Sequence, residues 1–371
     1  MKKIYTITFH SSYNYGSNLQ AYSLQEYIKK LCDYDCEYKI INLRTPIQRQ
    51  MYEIDFDNLT IKKRLKTMLV GGYKKNYIEK QKKFEDFINN NLDITKEYTS
   101  LDELKKEKFE ADYYISGSDQ LWNLQAMDFD WSYFLEFINN GKKISYAASF
   151  GPKAQTWNEK EMQRVKDNLS KYSMISVREE GSFNNVKKLL EIEPEINVDP
   201  TMLLEKHDWE KIISKEPIYK GKYIFLYNLK GDKNILKIAK KVSKKLDMPI
   251  VVSKYGNKLE LIYGFKKKYN SGPIEFLNLI QNAELVLSSS FHGTIFSILL
   301  NKPFFAINGA KDFRISTLLK KMELEDRSIE IDNIDEKCKK IYDIHFAKSE
   351  KLLDLERKKS EKYLKKALDI N

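Results

Sequence analysis

The strongest constraint on the fold is an alternation of short apolar, β-branched runs with stretches of helical spacing, joined by polar loops. Residues 4–9 alternate as a strand does, and the polar loop His10-Ser11-Ser12-Tyr13-Asn14-Tyr15-Gly16-Ser17 follows. Leu24, Tyr27, Ile28 and Leu31 then fall at helical spacing, and residues 38–43 form a second strand-like run. A strand, one helix and a strand within so short a stretch imply parallel strands and a right-handed crossover. The pattern returns with strands expected at 112–116, 143–149 and 174–178, and helices near 159–169 and 182–190. A second series starts near Tyr223, with strands expected at 223–229, 249–253, 284–288 and 303–307 and helices near 234–246 and 273–282.

This reads as two α/β domains in series. The expected boundaries are 1–205, carrying a lysine- and asparagine-rich helical insertion at about 47–108, then 206–335. A lysine-rich helical tail, 336–371, is expected to pack back on the first domain. Ligands of such sheets bind outside the carboxyl ends of the strands, so two domains of this kind would frame a cleft.

Composition narrows the classes of function. The net charge of +11 comes from 64 basic and 53 acidic residues, and only eight of the basic ones are arginine. Lysine is spread along the chain rather than gathered into a stripe, which argues against a nucleic-acid partner and for solvated helix faces. The basic surface is compatible with anionic substrates and with peripheral contact at the inner membrane leaflet. No apolar run nears the roughly 20 residues of a membrane span, and Thr6, Thr8, His10 and Ser11 interrupt the first apolar stretch too early for a signal peptide, so the expected location is cytoplasmic. Three cysteines and four scattered histidines suggest neither a disulfide framework nor a metal site.

The chemistry sits in the loops that follow the expected strands. In Ser288-Ser289-Ser290-Phe291-His292-Gly293-Thr294 an apolar strand runs into serines and then opens an apolar helix. Ser290 is a candidate cap, Gly293 would let an anion approach the backbone, and His292 at the helix mouth could bind an anion or move a proton. The competing reading is an ordinary capped helix with a packed histidine. Asn14, Gly16 and Ser17 mark another strand-to-helix loop, with Gly16 able to take an unusual backbone angle. Ser116-Gly117-Ser118-Asp119-Gln120-Leu121-Trp122-Asn123 offers a carboxylate and an indole to a hydroxyl-rich ligand. Ser149-Phe150-Gly151-Pro152 and Val177-Arg178-Glu179 follow further strands, and Arg178 suits either an anionic ligand or a nearby carboxylate. His10 could line the cleft, and Asp199 before Pro200 reads better as a turn residue than as a site carboxylate.

Taken as an ordered set, Asn14-Tyr15-Gly16-Ser17 with Leu19-Gln20, the segments 116–123, 145–151, 176–179 and 198–201, and Ser290-Phe291-His292-Gly293-Thr294 resemble the polysaccharide pyruvyl transferase family. The resemblance implies two Rossmann-like domains facing across a cleft, similar to the glycosyltransferase B-type fold. It also implies a transferase that moves pyruvate from phosphoenolpyruvate to a sugar as a cyclic ketal and releases phosphate. Phosphoenolpyruvate is then a co-substrate, no separate cofactor or metal is called for, and the partner is a saccharide acceptor of surface-polysaccharide synthesis, lipid-linked acceptors included. In that reading His292 and Asp119 are catalytic, Arg178, Ser290, Gly293 and Thr294 bind the donor, and Asn14, Gly16 and Trp122 bind the acceptor. No cation directly precedes Phe291, where Ser290 stands. The alternatives are a glycosyltransferase with a nucleotide-sugar donor and a non-catalytic protein of glycan assembly.

Overall fold

A computed structural model of the chain describes residues 1–53, 72–151, 156–229, 231–254 and 256–370. It divides into two compact units. Unit 1 comprises residues 1–55, 85–204 and 355–371, and unit 2 comprises residues 56–84 and 205–354. Pro152 and part of the expected insertion lie outside the described residues.

Unit 1 contains β1 (Lys2–Ile7), α1 (Tyr15–Leu31), β2 (Cys36–Leu43), α2 (Pro46–Tyr52), residues 85–91 of α3 (Tyr73–Asn91), β3 (Ile94–Tyr98), α4 (Leu101–Lys106), β4 (Tyr113–Ser116), β5 (Lys142–Ser145), α5 (Glu159–Leu169), β6 (Tyr172–Met174), β7 (Ser176–Val177), α6 (Glu180–Leu190) and β8 (Glu195–Ile196). Six of the strands form a sheet in the order β3-β2-β1-β4-β5-β6, all pairs parallel. The order of the chain through the sheet reverses between β1 and β4, which makes a topological switch point there.

Unit 2 repeats the plan. It contains α7 (Lys206–Ile212), β9 (Ile224–Tyr227), α8 (Lys233–Leu246), β10 (Ile250–Val252), α9 (Leu259–Ile262), β11 (Lys266–Lys267), α10 (Pro273–Gln281), β12 (Leu285–Ser288), α11 (Phe291–Leu299), β13 (Phe304–Ile307), α12 (Phe313–Lys321), β14 (Ser328–Ile329) and α13 (Ile334–Lys339). Its sheet runs β11-β10-β9-β12-β13-β14, again all parallel, with the reversal between β9 and β12. Both central strands, β9 and β12, are buried at every position. Helices cover both faces of such a sheet, which is why these strands are apolar without alternation.

Four strands were not expected: β3, β8, β11 and β14. Each lies at a sheet edge, and β3 and β11 are polar (Ile-Thr-Lys-Glu-Tyr and Lys-Lys) because solvent rather than core meets them. The stretch 47–108 therefore carries an edge strand as well as helices.

The tail is two helices rather than one, α13 and α14 (Phe346–Ala367). From Leu355 onward α14 belongs to unit 1, where Tyr363 is buried and donates to the Ser145 carbonyl at 2.7 Å. Arg357 donates to the carbonyls of Met202 (2.7 Å) and Leu204 (2.9 Å), and Lys2 to that of Leu368 (2.9 Å). Among the described residues no helix is long and apolar enough to cross a membrane.

Candidate functional site

In unit 2 the loop after β12 leaves the sheet beside its switch point. Ser288, fully buried at the end of β12, sets its shape: its hydroxyl donates to the Ser290 carbonyl (3.1 Å) and accepts from the Ser290 N–H (3.0 Å). Ser290 stands at the N-cap position of α11, but its side chain makes no capping bond. The helical ladder starts with the Thr294 N–H donating to the Ser290 carbonyl (3.0 Å), so the N–H groups of Phe291, His292 and Gly293 precede it. The Thr294 hydroxyl is also turned onto that carbonyl (3.0 Å), which makes it a brace of the loop rather than a free donor.

Gly293 has a different role from the one its position suggested. A Cβ there would lie 2.2 Å from the Ser288 hydroxyl and 3.0 Å from the Tyr227 ring, so its bare face receives strand β12, not an anion. What the motif presents is the first-turn backbone with the positive end of the helix dipole, plus His292. His292 is half-buried, its ring edge-on to Phe291 at 5.6 Å.

Two residues of this edge escaped the sequence reading. Arg314, in the first turn of α12 after β13, places its guanidinium 5.9 Å from the Phe291 ring centre. Asn228, directly after β9, is buried, and its amide oxygen has no hydrogen-bond partner among the described residues. The signal available for Arg314 was the scarcity of arginine combined with a position just after a strand; Asn228 had none.

In unit 1 the loops after β4, β5, β7 and β8 and the first turn of α1 converge on a buried ionic cluster. Arg178 is 4% exposed, with Nη1 3.0 Å from Asp199 and 3.7 Å from Asp119, and Nε 3.4 Å from Glu179. Burial works against its charge, but Glu179, Asp199 and Asp119 outweigh that and hold its pKa above the usual arginine value. Each carboxylate is tied in turn. Asp119 accepts from the Ser17 hydroxyl (3.0 Å), Glu179 from Ser149 (2.7 Å) and Ser182, and Asp199 from the backbone N–H (3.1 Å) and hydroxyl (2.8 Å) of Thr201. Asp119 is the most exposed of the three, at 15%, and has a φ of +78°. That left-handed backbone is uncommon even for aspartate. Asp199 is both a turn residue and a cluster carboxylate.

The first loop is a capped helix start. Asn14 is exposed and accepts from the Gly16 N–H at 3.0 Å, and Gly16 is an ordinary helical residue in the first turn of α1. Asn18 and Gln20 lash the loop to the carbonyls of His10, Ser12, Phe9 and Ser17, which accounts for their place in the motif.

Trp122 does not serve as an acceptor platform. It is fully buried, stacked on Phe134 at 5.5 Å, and donates from its indole to the Ser116 hydroxyl (3.1 Å), so neither ring face can meet a sugar. Trp122→Ala is accordingly expected to lower the unfolding free energy of unit 1 by about 3–5 kcal/mol in denaturant titrations. KM for any acceptor should be unchanged in the protein that stays folded.

His10 is also internal, its ring nitrogens 3.1 Å from the Thr8 carbonyl and 2.9 Å from the Asn42 amide oxygen. Burial holds its pKa below the ordinary value, against the opposing pull of those two contacts. The unfolded chain takes up this proton near pH 6.5 while the folded chain resists it. Stability from neutral His10 is thus complete above about pH 6.5 and falls below it, by up to about 1.4 kcal/mol per pH unit. Urea unfolding of wild type and His10→Gln between about pH 5 and 7 reads that slope, and the variant should lose it.

Apart from His10 and Arg314, the candidate site residues described above fall within one family signature. A family model described as "Polysaccharide pyruvyl transferase" matches residues 14–310. The chain belongs to the polysaccharide pyruvyl transferase family. The match runs from the cap of α1 in unit 1 past α11 in unit 2, and it establishes a transferase family concerned with polysaccharide. No curated protein matches the chain.

Among solved structures, this family member is similar to UDP-N-acetylglucosamine 2-epimerase from Rickettsia bellii, at 13% identity and a TM-score of 0.54, over 100% of this chain and 97% of that one. It is also similar to UDP-GlcNAc 2-epimerase from Neisseria meningitidis bound to UDP-GlcNAc, at 13% identity and a TM-score of 0.52, over 100% of both chains. At such identity the likeness concerns the fold alone: two Rossmann-like units of the glycosyltransferase B type.

Proposed function

We propose that this pyruvyl transferase family member takes pyruvate from phosphoenolpyruvate and places it on a sugar as a cyclic ketal, releasing phosphate. The observation that carries the reading is the family match over residues 14–310, whose His292 loop lies at the switch point of unit 2. The donor carries a phosphate and a carboxylate, and the first turn of α11 offers N–H groups and a positive dipole end to such an anion.

In this reaction the donor's methylene carbon gains a proton and becomes a methyl group. One sugar hydroxyl adds to the central carbon and loses its proton. The bond from that carbon to the phosphate oxygen breaks, phosphate leaves, and the second hydroxyl closes the ring as its proton goes out with phosphate. His292 is assigned as the acid or as the donor to the departing phosphate. Asp119 is assigned as base to the acceptor hydroxyl, with Asn14 beside the same loop cluster as an acceptor contact. Ser290 contributes its place at the start of α11 rather than a side-chain bond.

Arg178 is the unit 1 cation for the donor. An anion arriving there competes first with Asp119, the longest of its three contacts at 3.7 Å. The reading is tested by incubating the protein with phosphoenolpyruvate and a saccharide acceptor, and separately with nucleotide-sugars. Phosphate release together with a ketal-bearing product supports it. A free nucleoside diphosphate in the second incubation, with no reaction in the first, replaces it with glycosyl transfer.

A further inference from the structure

The loop that opens α11 holds a histidine but no cation of its own: Ser288, Ser289 and Ser290 lead to Phe291 and His292. β13 pairs with β12 in parallel register, Ala306 opposite Ser288, so the segment after β13 leaves the same carboxyl edge. It carries Asp312 and Arg314 into the start of α12.

Arg314 is held in place from two sides. Its Nε lies 3.3 Å and its Nη2 3.0 Å from the two oxygens of Asp312, a fork-to-fork pairing. Asp312 in turn caps α12, accepting from the backbone N–H groups of Arg314 (3.0 Å) and Ile315 (3.4 Å). Burial would push the Asp312 carboxyl up, but Arg314 and those N–H groups hold it below its usual range, so the pair stays ionised. The guanidinium then lies over Phe291, which also meets the His292 ring edge-on.

The remaining guanidinium nitrogen, Nη1, makes no hydrogen bond among the described residues, and the side chain is 21% exposed. A charged fork with unused N–H groups thus stands beside a helix start of the same sign. On the opposite flank, one strand over at β9, the Asn228 amide oxygen is buried with no partner among the described residues, as happens where a ligand hydroxyl or ordered water completes the bonding.

We infer that Arg314 is the unit 2 cation that grips the anionic donor beside His292, and that Asp312 aims it. The inference rests on the donor reading above and names a residue for it. Arg314 is a binding residue, and Asp312 is a positioning residue that acts through it.

The test is calorimetric titration of the full chain and of Arg314→Gln, Arg314→Lys and Lys311→Gln with phosphoenolpyruvate and, separately, with UDP. Arg314→Gln keeps an aliphatic stem over Phe291 and removes the charge. Lys311→Gln removes an equal charge from an exposed neighbour that pairs with Glu330. One charge-assisted hydrogen bond lost corresponds to roughly 10–100-fold weaker binding. That loss is expected for Arg314→Gln with phosphoenolpyruvate, with partial recovery in Arg314→Lys and affinity within about threefold of wild type in Lys311→Gln.

Wild-type affinity in Arg314→Gln overturns the inference and leaves the donor reading standing. If UDP binds, phosphoenolpyruvate does not, and Arg314→Gln loses UDP, the donor reading fails while the role of Arg314 holds. Binding of neither probe to wild type overturns both.

Discussion

Replacing His292 by alanine lowers turnover about 10²–10⁴-fold, with little change in unfolding midpoint. The size follows from what positioned proton transfer contributes to a reaction in which carbon must be protonated and phosphate must leave. The small effect on stability follows from position, because His292 is half-buried at the start of α11 and the loop is braced by Ser288 and Thr294 instead. The measurement is single-turnover phosphate release from phosphoenolpyruvate with acceptor present, alongside thermal unfolding. A loss below tenfold removes His292 from acid–base work and leaves it as an anion contact. An equal loss in turnover accompanied by a collapsed midpoint makes it a packing residue.

Arg178→Ala carries the largest expected effect on stability. The substitution leaves Asp119, Glu179 and Asp199 near one another without the guanidinium that all three share. Breaking a buried ionic cluster by removing one partner costs about 3–5 kcal/mol, because the remaining charges keep their desolvation without compensation. Equilibrium denaturation should show this as an early transition of unit 1. Arg178→Lys should recover only part of the loss, since one ammonium cannot match a planar fork reaching carboxylates on several loops. Activity in both variants should fall by more than the unfolded fraction accounts for, because Asp119 loses its anchor. Unchanged stability in Arg178→Ala would mean that the cluster tolerates three carboxylates unaided and that the arginine serves ligand binding alone.

The legible parts of the fold were those in which burial dictates sequence. β9, β12 and β13 are short apolar runs because both faces of each strand are covered, and α5 was readable because its buried side is periodic. The edge strands β3, β8, β11 and β14 were not readable, because pairing on one side asks little of the side chains. In the candidate site, the loops could be ranked by glycine, serine and position after a strand. Side-chain direction could not. Trp122 and Asn14 sit in similar polar loops, yet one is sealed in the core and the other is exposed.

The sequence by itself determined the βα alternation, the presence of two α/β series and the family, since each is written in local spacing and in motifs a few residues long. Only the tertiary structure decided who meets whom. Arg178 finds Asp119 and Asp199 across gaps of many residues, and Arg314 reaches Phe291 from a different strand, because parallel sheets bring the ends of distant strands to one edge. Such partners are set by sheet order and crossover length, and no local pattern in the chain encodes them.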